Sequence, residues 1–285
     1  MATLRSRWVM ANGVKTHYTE SGDNGPVLVA LHGGGAGSSG LAGMGAAMER
    51  LADEFRVIAP DSIGGFGLTD PYAKTPYGLI SRVQHIADFC DALCLEKFSI
   101  LGNSQGAWCA AHYAMLNPKR IEKMILVSSL TIGNAMGISQ APNAAMKALN
   151  SYDGTRDAMK RLLEALIIDK SKITDKLIDE RQAAATRPGA LEAFQGLAKS
   201  IGATREDPIL AYRIGMKESL PTLTKQIPTI FLWGDSDPFA VPETGKQVEK
   251  LLPDVKFHWI AGAGHQVQTD KPDESVKIIR DFLKG

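Results

Sequence analysis

The sequence predicts an α/β protein: a mostly parallel, doubly wound sheet interrupted by a helical insertion. Three observations carry that expectation. Short apolar runs alternate with stretches of helical spacing between residues 27 and 127, and such alternation builds parallel sheets with helices on both faces. The texture turns helical, rich in Ala, Lys, Met and Leu, over residues 131–221. Strand character then returns at 227–233 and 255–260.

Taken in order, residues 6–10 and 14–21 alternate apolar and polar around Asn12-Gly13. That dipeptide between two β-like runs signals a hairpin. Residues 27–31 form a continuous apolar run, as a strand buried on both faces requires. The run ends in His32-Gly33-Gly34-Gly35-Ala36-Gly37. Helical spacing over 41–52 leads to a buried strand at 55–59, then to Pro60-Asp61 and a glycine-rich loop at 62–68. A helix is expected over 77–95, with Ile80, Val83, Ile86, Cys90 and Cys94 on its buried face. An apolar run at 98–101, a helix stopped by Asn117-Pro118, and a strand at 124–127 follow. Within the helical region, 156–168 and 172–186 read as amphipathic helices. Helices at 243–252 and 272–284 flank the last strand.

At 285 residues the chain supports a core with an insertion. The expected division is a core over 1–130 and 222–285 and a helical lid over 131–221. The formal net charge is +1, with both signs interspersed, which argues against nucleic-acid or membrane-surface partners. The opening MATLRSRWVM has basic residues without an apolar core, unlike a secretory leader. No apolar run reaches the roughly 18 residues of a membrane span, so a cytoplasmic protein is expected. Cys90, Cys94 and Cys109 are too few and odd in number for a disulfide framework. Cys90 and Cys94 read as core rather than as a metal or redox pair, and neither metal nor cofactor is expected.

The chemistry concentrates in Gly102-Asn103-Ser104-Gln105-Gly106, between an apolar run and a helix. G-x-S-x-G in a strand–turn–helix context is a nucleophile elbow. A serine in a strained turn needs neighbours without side chains, or strand and helix collide. The turn exposes the hydroxyl and leaves the Gln105 N–H at a helix start, free to bind an anion.

Serine is a poor nucleophile at neutral pH and needs a base, which in turn needs an orienting carboxylate. His265 alone among six histidines follows the last strand in a small-residue loop. Asp235 and Asp237 both follow the 227–233 strand; Asp237, with Pro238 after it, is the favoured acid. A second oxyanion donor is expected from the glycine loop after residues 27–31, with Gly34 first and Gly35 second. The loop lacks the Gly-Lys-Ser/Thr ending of a phosphate loop and the spacing of a dinucleotide site.

With HGGG, GNSQG, WGDSDPF and GAGH in the order nucleophile, acid, histidine, the chain resembles the α/β-hydrolase superfamily over nearly its full length. HGGGAGSSG, the Asn103-Ser104 pair and LIIDKSKITDKLIDERQAAATRP make it most similar to the meta-cleavage product hydrolases. These cleave a C–C bond in 2-hydroxy-6-oxo-hexa-2,4-dienoates during aromatic degradation. The resemblance implies a small anionic substrate, with Arg181 on its carboxylate and Asn103 holding the dienoate; Arg187 is the alternative anion binder. A homo-oligomer stays open. Departures from the family pattern are Leu41-Ala42-Gly43 where a Trp and a polar residue are usual, and Thr269 with Gln266 where a Trp follows the histidine. Gln105 and Ala107 stand where Met and Gly are common. An ester hydrolase of aromatic-acid monoesters, such as monoalkyl phthalates, is the second expectation. A non-catalytic ligand-binding member of the fold is the third.

Overall fold

The computed structural model describes residues 3–285. Met1 and Ala2, which open the stretch read above for a leader, lie outside the described residues. The frame is an eight-stranded sheet in the order β1-β2-β4-β3-β5-β6-β7-β8. Strands β1 (Arg5–Ala11) and β2 (Val14–Ser21) pair as an antiparallel hairpin. Asn12 and Gly13 both have positive φ, 45° and 83°, the twist a two-residue turn needs. β2 lies antiparallel to β4 (Arg56–Pro60). The remaining strands, β3 (Val27–Leu31), β5 (Phe98–Asn103), β6 (Ile121–Val127), β7 (Thr229–Gly234) and β8 (Lys256–Ile260), add in parallel.

The central parallel strands are mostly apolar because both of their faces are covered. Ile100, Met124, Leu126, Phe231 and Trp233 pack in one cluster with residues of α2 (Leu79–Ala92) and α3 (Gln105–Leu116). The alternate residues Leu101, Ile125, Ile230 and Leu232 pack on the other face with α1 (Gly40–Leu51) and α13 (Pro272–Lys284). Each fully buried aliphatic or aromatic side chain contributes about 1.5–3 kcal/mol, so the two faces dominate the stability of the sheet.

Between β6 and β7 the chain is helical among the described residues: α4 (Leu130–Ala135), α5 (Ala144–Asn150), α6 (Arg156–Glu164), α7 (Asp175–Thr186), α8 (Ala190–Glu206), α9 (Pro208–Ile214) and α10 (Ser219–Thr224). Met159, Leu162, Leu163, Ile178 and Ala185 form a small core of their own, which also takes in Ala36 of the glycine loop. Leu130, Ile132, Leu220 and Leu223, by contrast, join the main core. Both ends of the segment are therefore packed into the body, and Met146 of α5 and Ile201 of α8 also pack against it. After β7 come α11 (Pro242–Leu251) and, between β8 and α13, the short α12 (Val267–Asp270).

Several boundaries differ from expectation for local reasons. The helix expected over 77–95 ends at Ala92. Cys94 then turns out at φ 53° and is exposed, so it does not share the buried stripe of Cys90. The helix expected over 156–168 ends at Glu164, because Leu166 turns in and its carbonyl accepts the His265 N–H at 2.9 Å. The helix expected from residue 172 starts at Asp175, where the Thr174 hydroxyl caps the Leu177 N–H. No helix among the described residues is long and apolar enough to cross a membrane.

Candidate active site

Ser104 sits at the turn from β5 into α3 with φ 58° and ψ −121°. A non-glycine residue held there stores on the order of 1–3 kcal/mol of strain, and its surroundings fix it. The Ser104 N–H donates to the Val127 carbonyl at 2.9 Å. The Ser129 hydroxyl donates to the Ser104 carbonyl at 2.7 Å. The two glycines are steric necessities: a Cβ on Gly102 would lie 2.2 Å from the Gly106 oxygen, and one on Gly106 2.3 Å from the Leu31 oxygen.

His265 lies in the loop between β8 and α12, 2 % exposed. Its Nδ1 is 2.8 Å from Asp237 Oδ2. Asp237 Oδ1 accepts the Phe239 and Ala240 N–H groups at 2.8 and 2.9 Å, which holds the carboxylate in place. Asp235, the other candidate acid, faces outward and accepts from Ser236 and Gly262. With Nδ1–H committed to Asp237, Nε2 is left as the acceptor. Ser104 and His265 line one cavity of about 50 Å³. No hydrogen bond joins the serine to the imidazole; a serine–base contact often tightens only on substrate binding.

Gly33, Gly34, Gly35 and Gln105 line the same cavity. Among the described residues, no backbone carbonyl accepts the N–H of Gly34 or Gln105, which leaves both donors available to a developing oxyanion. The glycine loop is braced from three sides. His32 donates Nδ1–H to the Gly33 carbonyl and accepts the Ser62 N–H at Nε2. Burial and the nearby Arg82 guanidinium push that imidazole down to about 3, so it stays neutral. Arg181, in α7, is 1 % exposed, and its Nη2 donates to the Ala36 carbonyl and the Ser38 hydroxyl at 2.8 and 2.9 Å. Burial lowers its pKa to about 10, which leaves it charged at neutral pH. Arg82, in α2, donates to Ser62 Oγ, Gln105 Oε1 and the His32 carbonyl.

The residues expected to touch substrate are thus placed unequally. Asn103 lines the cavity, yet its Nδ2 is spent on the Val127 and His265 carbonyls at 3.2 and 3.0 Å. Arg181 lies behind the glycine loop, not on the cavity wall. Arg187 bonds the Thr69 carbonyl. Neither Leu41 nor Thr269 lines the cavity, whereas Gln266 does. Sequence reasoning missed Arg82 and Asp270. An arginine between Leu79 and Val83 on an apolar stripe was the signal for the first. Asp270 accepts the N–H groups of Gly264, Ile168 and Asp169, and nothing in the sequence links those segments.

A second Ser–His–Asp chain shows what the first has in addition. His17 lies 2.8 Å from Ser6 Oγ and 2.7 Å from Asp61 Oδ2. Ser6 is exposed in the regular strand β1, and Asp61 also accepts the Gly40 and Leu68 N–H groups. That chain ties the hairpin to the end of β4. Its serine is not strained, and it does not lie at a helix start.

Comparison with known proteins places the chain among hydrolases. The chain is 29% identical over 277 residues to a 2-hydroxy-6-oxo-2,4-heptadienoate hydrolase of Pseudomonas putida, covering 97% of this chain and 95% of that one. It is 30% identical to a 2-hydroxy-6-oxo-6-(2'-aminophenyl)hexa-2,4-dienoic acid hydrolase of Metapseudomonas resinovorans, covering 97% and 90%. The structure of a meta-cleavage product hydrolase from Pseudomonas fluorescens superposes with a TM-score of 0.80 at 27% identity, covering 98% and 97%. The family described as the alpha/beta hydrolase fold matches residues 26–272, and this chain belongs to it.

Proposed function

We propose that the protein is a cofactor-free serine hydrolase that cleaves the C–C bond of a 2-hydroxy-6-oxo-hexa-2,4-dienoate. The observation that carries this is one cavity shared by a strained serine, a carboxylate-held imidazole and two unbonded N–H groups. In this reading His265 Nε2 is the acid–base and Asp237 keeps its tautomer and orientation. The Gly34 and Gln105 N–H groups stabilise the oxyanion formed at the C6 carbonyl, each worth about 3–4 kcal/mol.

The dienol first ketonises: the 2-hydroxyl proton leaves and a proton arrives at C5, both moves within the reach of one histidine. Ser104, or a water it activates, then adds to C6. The C5–C6 bond breaks, its electron pair enters the conjugated keto skeleton, and the 2-oxygen takes a proton from His265 to give a dienol acid; the acyl group leaves as a carboxylic acid directly where water added, or after a water hydrolyses the acyl-Ser104 ester. Helices α5 to α8 act as the lid that excludes water. Arg181 and Asn103 support substrate binding indirectly here. The guanidinium sets the curvature of the glycine loop through Ala36 and Ser38, and the amide clamps the elbow to the His265 loop.

A second reading, hydrolysis of an aromatic-acid monoester through an acyl-enzyme, is favoured by Leu41 and Thr269, which lie off the cavity where the family usually has dienoate contacts. One comparison separates the two. The protein is supplied in turn with a yellow ring-fission dienoate and an aromatic monoester, and colour loss and acid release are followed. The C–C reading expects kcat/KM for the dienoate to exceed that for the ester, and Ser104→Ala to lower either kcat by about 10⁴-fold or more. Ester turnover with no loss of dienoate colour would reject it.

A further inference from the structure

The catalytic cavity, about 50 Å³, is far below the roughly 300–1,000 Å³ of ordinary ligand sites. A substrate larger than its reacting carbonyl must extend out of it. A second cavity of about 240 Å³ adjoins it, walled by Tyr152, Leu191, Phe194, Leu197 and Ile201. Gly34, Gln105 and Leu149 line both, and of these only Gln105 carries a polar side chain.

That side chain is held in one orientation. Arg82 Nη1 lies 2.8 Å from Gln105 Oε1. A guanidinium has donors only, so the amide cannot turn its nitrogen toward Arg82. The oxygen is committed and Nε2 is the free donor. The amide also lies flat on Gly34: a Cβ there would come within 2.1 Å of Gln105 Cδ. Arg82 itself is 1 % exposed, and its remaining partners are the Ser62 hydroxyl, the His32 carbonyl and the Phe66 ring. All are neutral. A buried cation with neutral partners favours an anion in the neighbouring cavity.

We propose that Gln105, held by Arg82, is a specificity-determining residue: it forms the threshold between the two cavities and donates Nε2–H to a carboxylate or enolate oxygen of a substrate that reaches from Ser104 into the larger one. The substrate class is an elongated anion whose carbon skeleton does not fit beside Ser104 alone. This rests on the hydrolase reading above and adds the residue that selects for charge and length.

The test uses the non-turning-over background. Dienoate binding to Ser104→Ala is titrated by its absorbance and compared with Ser104→Ala/Gln105→Met and Ser104→Ala/Gln105→Glu. Replacing the donor with an apolar side chain of similar length raises Kd by about 10- to 100-fold, the range for a hydrogen bond to a charged group. Glutamate pairs with Arg82 and repels the anion, so Kd rises at least as far while Tm stays level or climbs. A merely structural Gln105 gives the opposite pattern: a lower Tm with methionine and an unaltered Kd. An unchanged Kd in the methionine variant, or tight binding by the glutamate variant if the first does not fold, overturns the inference alone. Failure of Ser104→Ala itself to bind any dienoate overturns the inference and the C–C reading together.

Discussion

Among the described residues Ser104 is one of four non-glycine residues with positive φ, and the only one of these beside the free N–H of a helix start. Its strain is a testable quantity. Alanine keeps the Cβ and the strain; glycine releases it. Ser104→Gly and Ser104→Ala should both lack activity, yet the glycine variant should be the more stable by about 1–3 kcal/mol. Calorimetry reads this as a higher Tm for glycine; equal Tm values would mean the turn is relaxed. At this scale the sequence was informative where chemistry dictates residue type. Ser104, Asp237 and His265 could be singled out because each follows a strand in a small-residue loop. The arginines do not. Arg82 interrupts an apolar stripe and Arg181 was drawn only from the family resemblance; packing alone shows that both are buried.

At the scale of elements, Asp270 joins two segments distant in the chain. Its carboxylate accepts N–H groups from the turn after α6 and from the loop that carries His265. Asp270→Ala leaves those donors without a partner, at a cost of about 3 kcal/mol or more. Hydrogen exchange should then speed up at residues 166–169 and 264–266 before the sheet opens, and kcat should fall as the imidazole loses its fixed position. Protection unchanged in both segments would deny the link. The end of α6 that periodicity misplaced lies beside this junction. A 3.6-residue pattern continues through Leu166 and Ile167 because both are apolar, but they follow the end of α6 and join the small core of α6 and α7 from the turn.

For the whole molecule, buried neutral histidines set the acid limit. Desolvation lowers His32 to about 3 and His85 and His112 to about 4. The unfolded chain takes up protons near pH 6.5 and the folded one does not. The associated stability is therefore present above pH 6.5 and is lost as pH falls toward 3–4, by roughly 3 kcal/mol per histidine at pH 4. Tm should decline steeply between pH 6.5 and 4, and His112→Gln, away from the active site, should flatten part of that decline. A flat profile across this window would show that these side chains protonate in the folded state. The sequence by itself determined the α/β layering, the strained turn at Ser104 and the strand-end positions of Ser104, Asp237 and His265. Strand burial and steric need for glycine are local, and they leave a pattern in the residues. Only the tertiary structure decided which charges face inward, which amide is held by a buried arginine, and how small the catalytic cavity is. Those depend on contacts between segments far apart in the chain, as between Arg82 and Gln105, which no local spacing encodes.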